Sequence, residues 1–491
     1  MLFRSIENLG ADAPASQSAT HGIFSHHGNT PHGIRLAVEY AMRNGLVRFV
    51  VCTSTLAQGI NLPIRYLIVT SVYQGGERIK ARDFHNLVGR AGRAGMYTEG
   101  SILFADSEIY DNRESNNGKW RWNQVKELLN SRNSEPCTSN LLSIFDPIKS
   151  DDEKETLPME ALGFAKTYIN APDKVAKLAA KIAAQHGDKG FSQGGVERQI
   201  AWRISLICAV ESFLLSHGDE SEDALSEADV TRLAEGTFAF FLADKQKKAH
   251  LRELFQLLAR HISANIADPV RRKIYGRTLY GMQDAQAIEG WVKSNADSLL
   301  SIVDETEVLD LVWPLLTRHI NGGVFTKFDT PEVLKEIAHG WISGKSFSDL
   351  LKTIHKRKAK MVCGTRRREF KIDHVVDVCE GTLAYDGALV IGAVCEFIEM
   401  LAQDGTRELL SHLQLFQKRL KYGLPTETSI AFYELGFSDR VISQDLAVSL
   451  NLVATQKKAL IKALKQDRNR ANAVMEKYPS YFLERMKKLL Q

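Results

Sequence analysis

The first quarter of the chain alternates short apolar runs with a helical pattern. Val47 to Cys52 and Tyr66 to Val72 are rich in β-branched and aromatic residues, which is typical of buried strands. Ser101 to Ala105 has the same character, and the residues from Gly33 to Asn44 follow a helical spacing. This alternation of strands and helices predicts an α/β domain over residues 21–110.

After Lys119 the apolar residues recur with helical spacing, and strand signals nearly vanish. The pattern alone predicts a mostly α-helical region that extends to the C-terminus. Polar residues between Tyr110 and Lys119 mark the boundary between the two parts. The predicted helices include 120–130, 196–216, 222–243, 246–265, 305–320, 331–342 and 346–357.

The stretch from Asp83 to Gly95 combines glycines with two arginines. Arg90 and Arg93 are three residues apart, so on a helix both guanidinium groups would lie on one face. Two such cations suit a polyphosphate, because a guanidinium group binds phosphate oxygens bidentately. Gly89 and Gly92 leave room for the close approach of a partner. The alternative is a basic helix end with two solvated arginines, and these residues alone leave both readings open.

Three hydroxyl residues directly follow the strand that ends at Cys52. They are Thr53, Ser54 and Thr55, and Gly59 and Asn61 come shortly after them. Hydroxyl groups at a strand end, next to the start of a helix, form a corner that binds phosphate.

These two stretches resemble motifs V and VI of superfamily 2 helicases, in the superkiller-like and Hel-type branch. That branch typically has Thr-Ser-Thr-Leu-Ala-x-Gly-x-Asn-Leu-Pro and then Gln-x-x-Gly-Arg-Ala-Gly-Arg, and residues 53–63 and 89–93 match these patterns closely. Asn86 stands where the family usually has Gln, so a shorter amide would have to make the same hydrogen bond. Residues 23–28 resemble the strand and turn that precede motif V.

The resemblance implies an α/β RecA-like second motor domain of the P-loop NTPase type, followed by a mostly α-helical C-terminal region. It would supply a winged helix and then a ratchet-like helical domain along which a single strand is drawn. The predicted domains are a linker remnant at 1–20, the second RecA-like helicase domain at 21–110, a helical region with room for a winged helix at 120–330, and a ratchet-like and C-terminal domain at 331–491.

The resemblance also implies roles for individual residues. Arg90 and Arg93 would act as catalytic arginine fingers on the phosphates of ATP. ATP with Mg²⁺ would be held mainly by a first motor domain. The implied ATP contacts are Gly59, Asn61, Asn86 and Gly89, and the implied contacts to the tracked strand are Thr53, Ser54 and Thr55.

The motifs of a first motor domain do not occur in this sequence. It contains no Asp-Glu-x-His string, and the run from Gly340 to Ser346 has three residues between its glycines where a Walker A loop needs four. Gly344 is predicted to end a helix or form a turn instead. We therefore expect the chain to be the C-terminal portion of a longer ATP-dependent helicase, and the isolated chain to be inactive as an ATPase.

The densest basic stretch runs from His355 to Lys371 and includes Arg366, Arg367 and Arg368. Because clustered cations bind phosphates, it predicts a nucleic-acid contact at these three arginines. A solvated helix end and loop would have the same composition, and the sequence leaves both readings open.

Composition narrows the class of protein only slightly. The net charge of +4 over 491 residues is too small to prove a nucleic-acid partner. The six cysteines include no Cys-x-x-Cys pair, which argues against a zinc ribbon or disulfide framework and favours a cytoplasmic location. No metal site is expected, since His26 and His27 have no acid or cysteine at ligand spacing. No membrane partner is expected either, since no uninterrupted apolar run is long enough to span a bilayer.

Three functional hypotheses remain. The first is the C-terminal part of an ATP-dependent helicase or translocase on single-stranded or partly duplex DNA or RNA, with DNA favoured. It would act in DNA repair or antiviral defence, where a partner protein could join it. The second is a non-catalytic or split nucleic-acid-binding subunit, and the third is a helical interaction scaffold. The preference for DNA or RNA, the polarity and the pathway are not fixed by the sequence.

Overall fold

The computed structural model describes residues 2–53, 64–74, 77–92, 99–217, 225–302, 305–401 and 405–491. The chain divides into two compact units. Unit 1 contains Met1–Pro136, Ile320–Ala388 and Leu415–Gln491, and unit 2 contains Cys137–His319 and Leu389–Gln414. These two units are defined by contacts within the chain and do not test the predicted domain ranges. Those ranges stay a prediction.

The N-terminal part of unit 1 is an α/β arrangement with parallel strand pairs. Strand β1 (Ile23–His26) pairs with β2 (Phe49–Cys52), with Ile23 opposite Phe49. Strand β3 (Tyr66–Val69) pairs with β6 (Ser101–Phe104), with Tyr66 opposite Ser101. The short strands β4 and β5 form an antiparallel hairpin. The elements are α1 Leu2–Leu9, α2 Pro14–Thr20, β1 Ile23–His26, α3 His32–Arg43, β2 Phe49–Cys52, β3 Tyr66–Val69, β4 Tyr73–Gln74, β5 Glu77–Arg78, α4 Ala81–Val88, β6 Ser101–Phe104, α5 Glu108–Asp111, α6 Lys119–Leu129 and a 3₁₀ turn at Ser131–Asn133.

The core of this α/β part lies between the β3–β6 pair and two helices. Leu67 and Val69 of β3 pack with Phe84 of α4 and with Val125 and Leu128 of α6, and all five side chains are buried. Alternate residues of β3 point to opposite faces, so its other two side chains remain exposed. The strands and helices predicted for 21–110 are present, each within a few residues of its expected position.

The residues from 2 to 20, for which a linker remnant is predicted, are largely helical in the structure. They form two helices, α1 and α2, and Ala13 and Ala19 are buried. Pro14 is at the first position of α2, where the missing N–H group costs no helical hydrogen bond. Small polar and alanine residues hid this helix, because they form no apolar face that a periodicity argument could find.

Unit 2 is built mainly from helices around the long helix α10. Its other elements include one two-stranded antiparallel pair, β7 with β8. In chain order they are a 3₁₀ turn at Asn140–Phe145, β7 Ile148–Lys149, β8 Thr156–Leu157, α7 Ala161–Asn170, α8 Pro172–Ala176, α9 Leu178–His186, a 3₁₀ turn at Gly187–Lys189, α10 Gln193–His217, α11 Glu227–Glu235, α12 Phe238–Leu242, α13 Lys245–Asn265, α14 Pro269–Thr278, α15 Met282–Ser294, α16 Ala296–Leu300 and α17 Glu305–His319.

After Ile320 the chain is again mainly helical, with one short β-hairpin. Its elements are a 3₁₀ turn at Phe325–Lys327, α18 Pro331–Ile342, α19 Phe347–Lys356, β9 Met361–Cys363, β10 Arg366–Arg368, α20 Ile372–Val376, a π-helical segment at Asp377–Gly387, α21 Ala388–Glu399, α22 Thr406–Tyr422, α23 Glu427–Phe432, a second π-helical segment at Tyr433–Phe437, α24 Arg440–Ser449, α25 Lys457–Gln466, α26 Arg468–Met475 and α27 Ser480–Leu490. The structure therefore agrees with the mostly helical character predicted after Lys119.

Two stretches of the described chain are long and apolar enough to cross a membrane by length and composition, Gln193–His217 and Ile372–Glu399. Helix α10, the first of them, buries Arg203 and Glu211 together with its apolar residues inside unit 2. A core helix passes the same test, so these two stretches are weak evidence for a membrane span.

Candidate nucleotide and nucleic-acid interface

Thr53 directly follows β2 and is exposed at the carboxyl end of the parallel β1–β2 pair. Ligands of open α/β sheets bind beyond the carboxyl ends of the strands, so Thr53 is at the expected edge. Ser54, Thr55, Gly59 and Asn61 lie outside the described residues. Of the three hydroxyl residues predicted to bind phosphate, the structure therefore describes only the first, Thr53.

The helix that was predicted to carry Arg90 is shorter than expected. Helix α4 ends at Val88, and Arg90 lies in the turn beyond it, where its N–H group donates to the carbonyl of Leu87 at 3.1 Å. Asn86 and Gly89 are exposed at this end of α4, and Arg90 is half-buried. Arg93 lies outside the described residues, so the shared helical face of the two arginines stays a prediction.

A backbone bridge fixes the Arg90 turn beside the start of β3. Ile64 and Ala91 pair in parallel, and the N–H group of Gly92 donates to the carbonyl of Ile64 at 2.9 Å. Gly92 has φ +73°, and a Cβ atom there would lie 2.4 Å from the backbone nitrogen of Gly100. Only glycine fits such a site, because the conformation is left-handed and another backbone occupies the side-chain space. The glycine of this motif therefore positions the neighbouring arginine.

The other end of α4 is held by a carboxylate from a distant part of unit 1. The N–H groups of Ala81 and Arg82 both donate to the carboxylate of Glu135, each at 3.0 Å. These bonds satisfy N–H groups that a helix start leaves without partners. The hydrogen bond from the Arg82 backbone, followed by that from Ala81 and the Arg82 charge, lowers the pKa of Glu135.

Sequence reasoning missed a cleft at the carboxyl ends of β3 and β6. Thr70 and Ser71 line it together with Asp106, Arg121 and Gln124. An ion pair joins Arg121 to Asp106 across the cleft. Thr70 and Ser71 follow a strand in the same way that Thr53 follows β2, and this repeated hydroxyl pattern was the available signal.

His26 is packed against α3. Its imidazole is buried, and Nε2 lies 3.0 Å from Oε1 of Glu39 on α3. Burial alone would raise the pKa of Glu39, but His26, Arg35 and Arg43 together lower it. Among the described residues, no cluster of His, Cys, Asp or Glu side chains could hold a metal ion.

The arginine triplet forms one strand of an exposed hairpin, here called the arginine hairpin (Met361–Arg368). Its strands are antiparallel, with Arg366 opposite Cys363 and Arg368 opposite Met361. All three arginines are exposed, while Met361 is buried and anchors the hairpin. Arg367 lies 3.7 Å from Asp329, and no ion pair to Arg366 or Arg368 is found among the described residues. Exposed cations of this kind fit a phosphate contact and also a solvated face.

The run from Gly340 to Ser346 has the geometry of a helix turn, as predicted. Gly344 has φ +82° after α18, and the hydroxyl of Ser346 accepts a hydrogen bond from Asp349 N–H to begin α19. A phosphate-binding P-loop follows a strand, whereas this turn joins two helices.

Comparisons with known proteins find similarity to helicases that includes the N-terminal α/β part. The helicase conserved C-terminal domain family matches residues 4–95. The chain is 23% identical over 461 residues to Hachiman protein HamB of Bacillus cereus, and the match covers 91% of this chain and 37% of HamB. It is 42% identical over 92 residues to the ATP-dependent DNA helicase Hel308 of Aeropyrum pernix, or 18% of this chain and 12% of that protein. A Helicase POLQ-like protein of Caenorhabditis elegans is 39% identical over 92 residues, or 19% of this chain and 10% of that protein.

The α/β arrangement with parallel strand pairs is consistent with the RecA-like fold of the helicase conserved C-terminal domain family, which matches residues 4–95. The chain is therefore similar to the C-terminal portion of superfamily 2 helicases, and a mainly helical region follows the matched domain. It spans about a third of the length of HamB and about a tenth of the length of the other two relatives. These similarities support a helicase-type role in nucleic-acid binding.

Proposed function

We propose that the chain acts as the second motor domain and strand-binding region of an ATP-dependent nucleic-acid helicase or translocase. The observation that carries this proposal is the locked turn at Arg90 inside the matched helicase domain. A backbone that tolerates only glycine at Gly92 holds the arginine in one place. Catalysis by charge stabilisation requires such a preorganised cation.

We propose for the site residues the roles that the resemblance to helicases implies. Bound ATP supplies the phosphoanhydride bond whose cleavage drives the motion. Arg90 and Arg93 stabilise the negative charge that develops on its phosphates, while Gly59, Asn61, Asn86 and Gly89 contact the nucleotide. Thr53, Ser54 and Thr55 bind backbone phosphates of the tracked strand.

The described residues fit ATP only in part. Arg90 and the exposed Gly89 form a surface that a triphosphate could reach. Among the described residues, no cluster of carboxylate or imidazole groups suits Mg²⁺. We propose that the ion and most of the nucleotide are held by a first motor domain.

DNA is the favoured substrate of the proposed motor, because a relative with high local identity is named a DNA helicase. The longer similarity to Hachiman protein HamB supports a place in a defence system, where a partner protein could join it. A motor that acts on DNA and a role in defence are both compatible with single-stranded or partly duplex nucleic acid as the substrate.

The proposal is tested by ATPase assays on the chain alone and on the chain joined to a first motor domain with Walker A and B motifs. We expect background activity from the chain alone and strand-stimulated activity from the joined protein. Arg93→Ala in the joined protein should lower turnover about a hundredfold or more, because a contact to transition-state charge is lost. Arg82→Ala, which removes a half-buried arginine side chain at the other end of α4, is the matched control. Robust ATPase activity from the 491-residue chain alone would contradict the proposal.

A further inference from the structure

Two phenylalanine rings are exposed side by side on α12 of unit 2. Phe238 is 54% exposed and Phe241 is 76% exposed. Their ring centroids lie 6.4 Å apart, and the ring planes differ by 14°. They are three residues apart, so the helix places both on one face. Exposed apolar groups that adjoin one another on a surface mark a binding site more often than single ones do.

The orientation of this pair is fixed by what lies on the opposite side of α12. Ala239 is buried, and Phe240 packs against the same small core, which contains Leu251. The hydroxyl of Thr237 accepts a hydrogen bond from the N–H group of Phe240 at 3.2 Å and thereby begins the helix. Because the inner face is occupied, the outer pair cannot turn inward without breaking these contacts.

Basic residues follow the exposed rings directly in the chain. Lys245, Lys247 and Lys248 lie in the first turn of α13. The carboxylate of Asp244 accepts a hydrogen bond from Lys247 N–H at 2.8 Å, so this acid is engaged in capping the helix. Lys248 lies over the ring of Phe240 at 5.3 Å. No ion pair of these three lysines is found among the described residues.

Near the ring of Phe240, the charges of one arginine and one glutamate cancel. Arg252 lies over the ring of Phe240 at 4.8 Å and forms an ion pair with Glu235 at 2.7 Å. Lys245, Lys247 and Lys248 outnumber Asp244, so the stretch that follows the exposed rings in the chain carries a net positive charge.

We propose that Phe238 and Phe241 form a stacking platform for two bases of a single-stranded nucleic acid, whose phosphates contact Lys245 and Lys247. Every base has a π-face, so aromatic rings beside cations bind single strands with little sequence preference. Lysine is depleted at protein–protein interfaces, so its presence here favours a polyanion over a protein partner. The platform rests on the proposed function, because that function identifies the polyanion as nucleic acid.

The test compares two fluorescent strands of equal length and charge, oligo-dT and an abasic deoxyribose-phosphate chain. Binding to the full chain is measured by fluorescence anisotropy at low salt. Phe238→Ala with Phe241→Ala should weaken binding of oligo-dT about tenfold to a hundredfold, because stacking on two rings is lost. Binding of the abasic strand should stay unchanged. Phe238→Tyr with Phe241→Tyr should retain oligo-dT binding, because tyrosine keeps the ring.

Tyr385→Ala is the matched control, because Tyr385 is also an exposed ring, at 71%, but adjoins the acid Asp386. It should bind both strands as the wild type does. A second variant, Phe238→Leu with Phe241→Leu, keeps the apolar surface and should lose oligo-dT binding as the alanine variant does. This variant decides the question if the alanine variant does not fold.

Three results would overturn the platform. If both the alanine and the leucine variants bind oligo-dT like the wild type while the wild type binds well, the platform is wrong and the proposed function stands. An equal loss on both strands would show that the rings do not stack on bases. Absence of wild-type binding to either strand would contradict the nucleic-acid role itself, and the exposed rings would then favour a protein partner.

Discussion

At Gly92 a side chain would meet the backbone of Gly100, and the local conformation is left-handed. We expect Gly92→Ala to lower the stability of the α/β part by about 1–3 kcal/mol, because the strained turn would have to rearrange. Gly28→Ala is the matched control, since nothing lies within 4 Å of a Cβ atom there and its φ is not positive. Thermal unfolding of both variants measures the difference. Equal midpoints would show that the Arg90 turn does not depend on this glycine.

Glu211 is the second residue with a testable energetic role. It is fully buried in α10, and its carboxylate accepts a hydrogen bond from the N–H group of Met282 at 2.9 Å. Burial raises the pKa of Glu211 to about 7 from an ordinary value of 4.5. The folded state therefore binds more protons than the unfolded state between these two values, and stability falls as pH rises through this window.

We expect Glu211→Gln to remove this loss of stability, which is about 3 kcal/mol at most. The thermal midpoint of the variant should exceed that of the wild type by more at pH 8 than at pH 5. Glu197→Gln is the control, because Glu197 is exposed on the same helix. A midpoint difference for Glu211→Gln that is the same at both pH values would contradict a buried carboxylate with a raised pKa.

At the scale of elements, patterns with a strong apolar period were predictable and others were not. The prediction of a helix at 331–342 matches α18, because its buried residues recur with helical spacing. The arginine hairpin was missed as strand structure, since three arginines have no apolar alternation and only the buried Met361 anchors it. The predicted helix 222–243 is in fact broken at Gly236, where Thr237 begins α12. That break presents Phe238 and Phe241 outward, and periodicity alone could not reveal it.

The positions of the candidate site residues could be predicted from the sequence only in part. Thr53 lies at the strand end that its motif indicated, whereas Arg90 lies in a turn instead of a helix. The turn depends on the contact between Gly92 and Gly100, which a local motif does not contain. The capping of α4 by Glu135 is a long-range contact and was equally hidden.

At the scale of the whole molecule, we propose that the chain binds nucleic acid at several places. These are the hydroxyl at Thr53, the arginine hairpin and the ring pair of α12, and each has a different chemistry. The hairpin contributes charge alone, since its arginines are exposed and lack aromatic neighbours within its own strands. Its contribution should therefore depend on salt and be independent of sequence.

The most direct test of the central claim is the salt dependence of single-strand binding, measured by fluorescence anisotropy on the full chain. We predict sequence-independent binding at low salt that weakens steeply as salt rises, because bound phosphates release counterions. Replacing Arg366, Arg367 and Arg368 together by Ala should weaken binding on every sequence and flatten the salt slope, with folding intact. No binding by the wild type at low salt would contradict the account. A triple variant with wild-type affinity and slope would show that the arginine hairpin is only a solvated face.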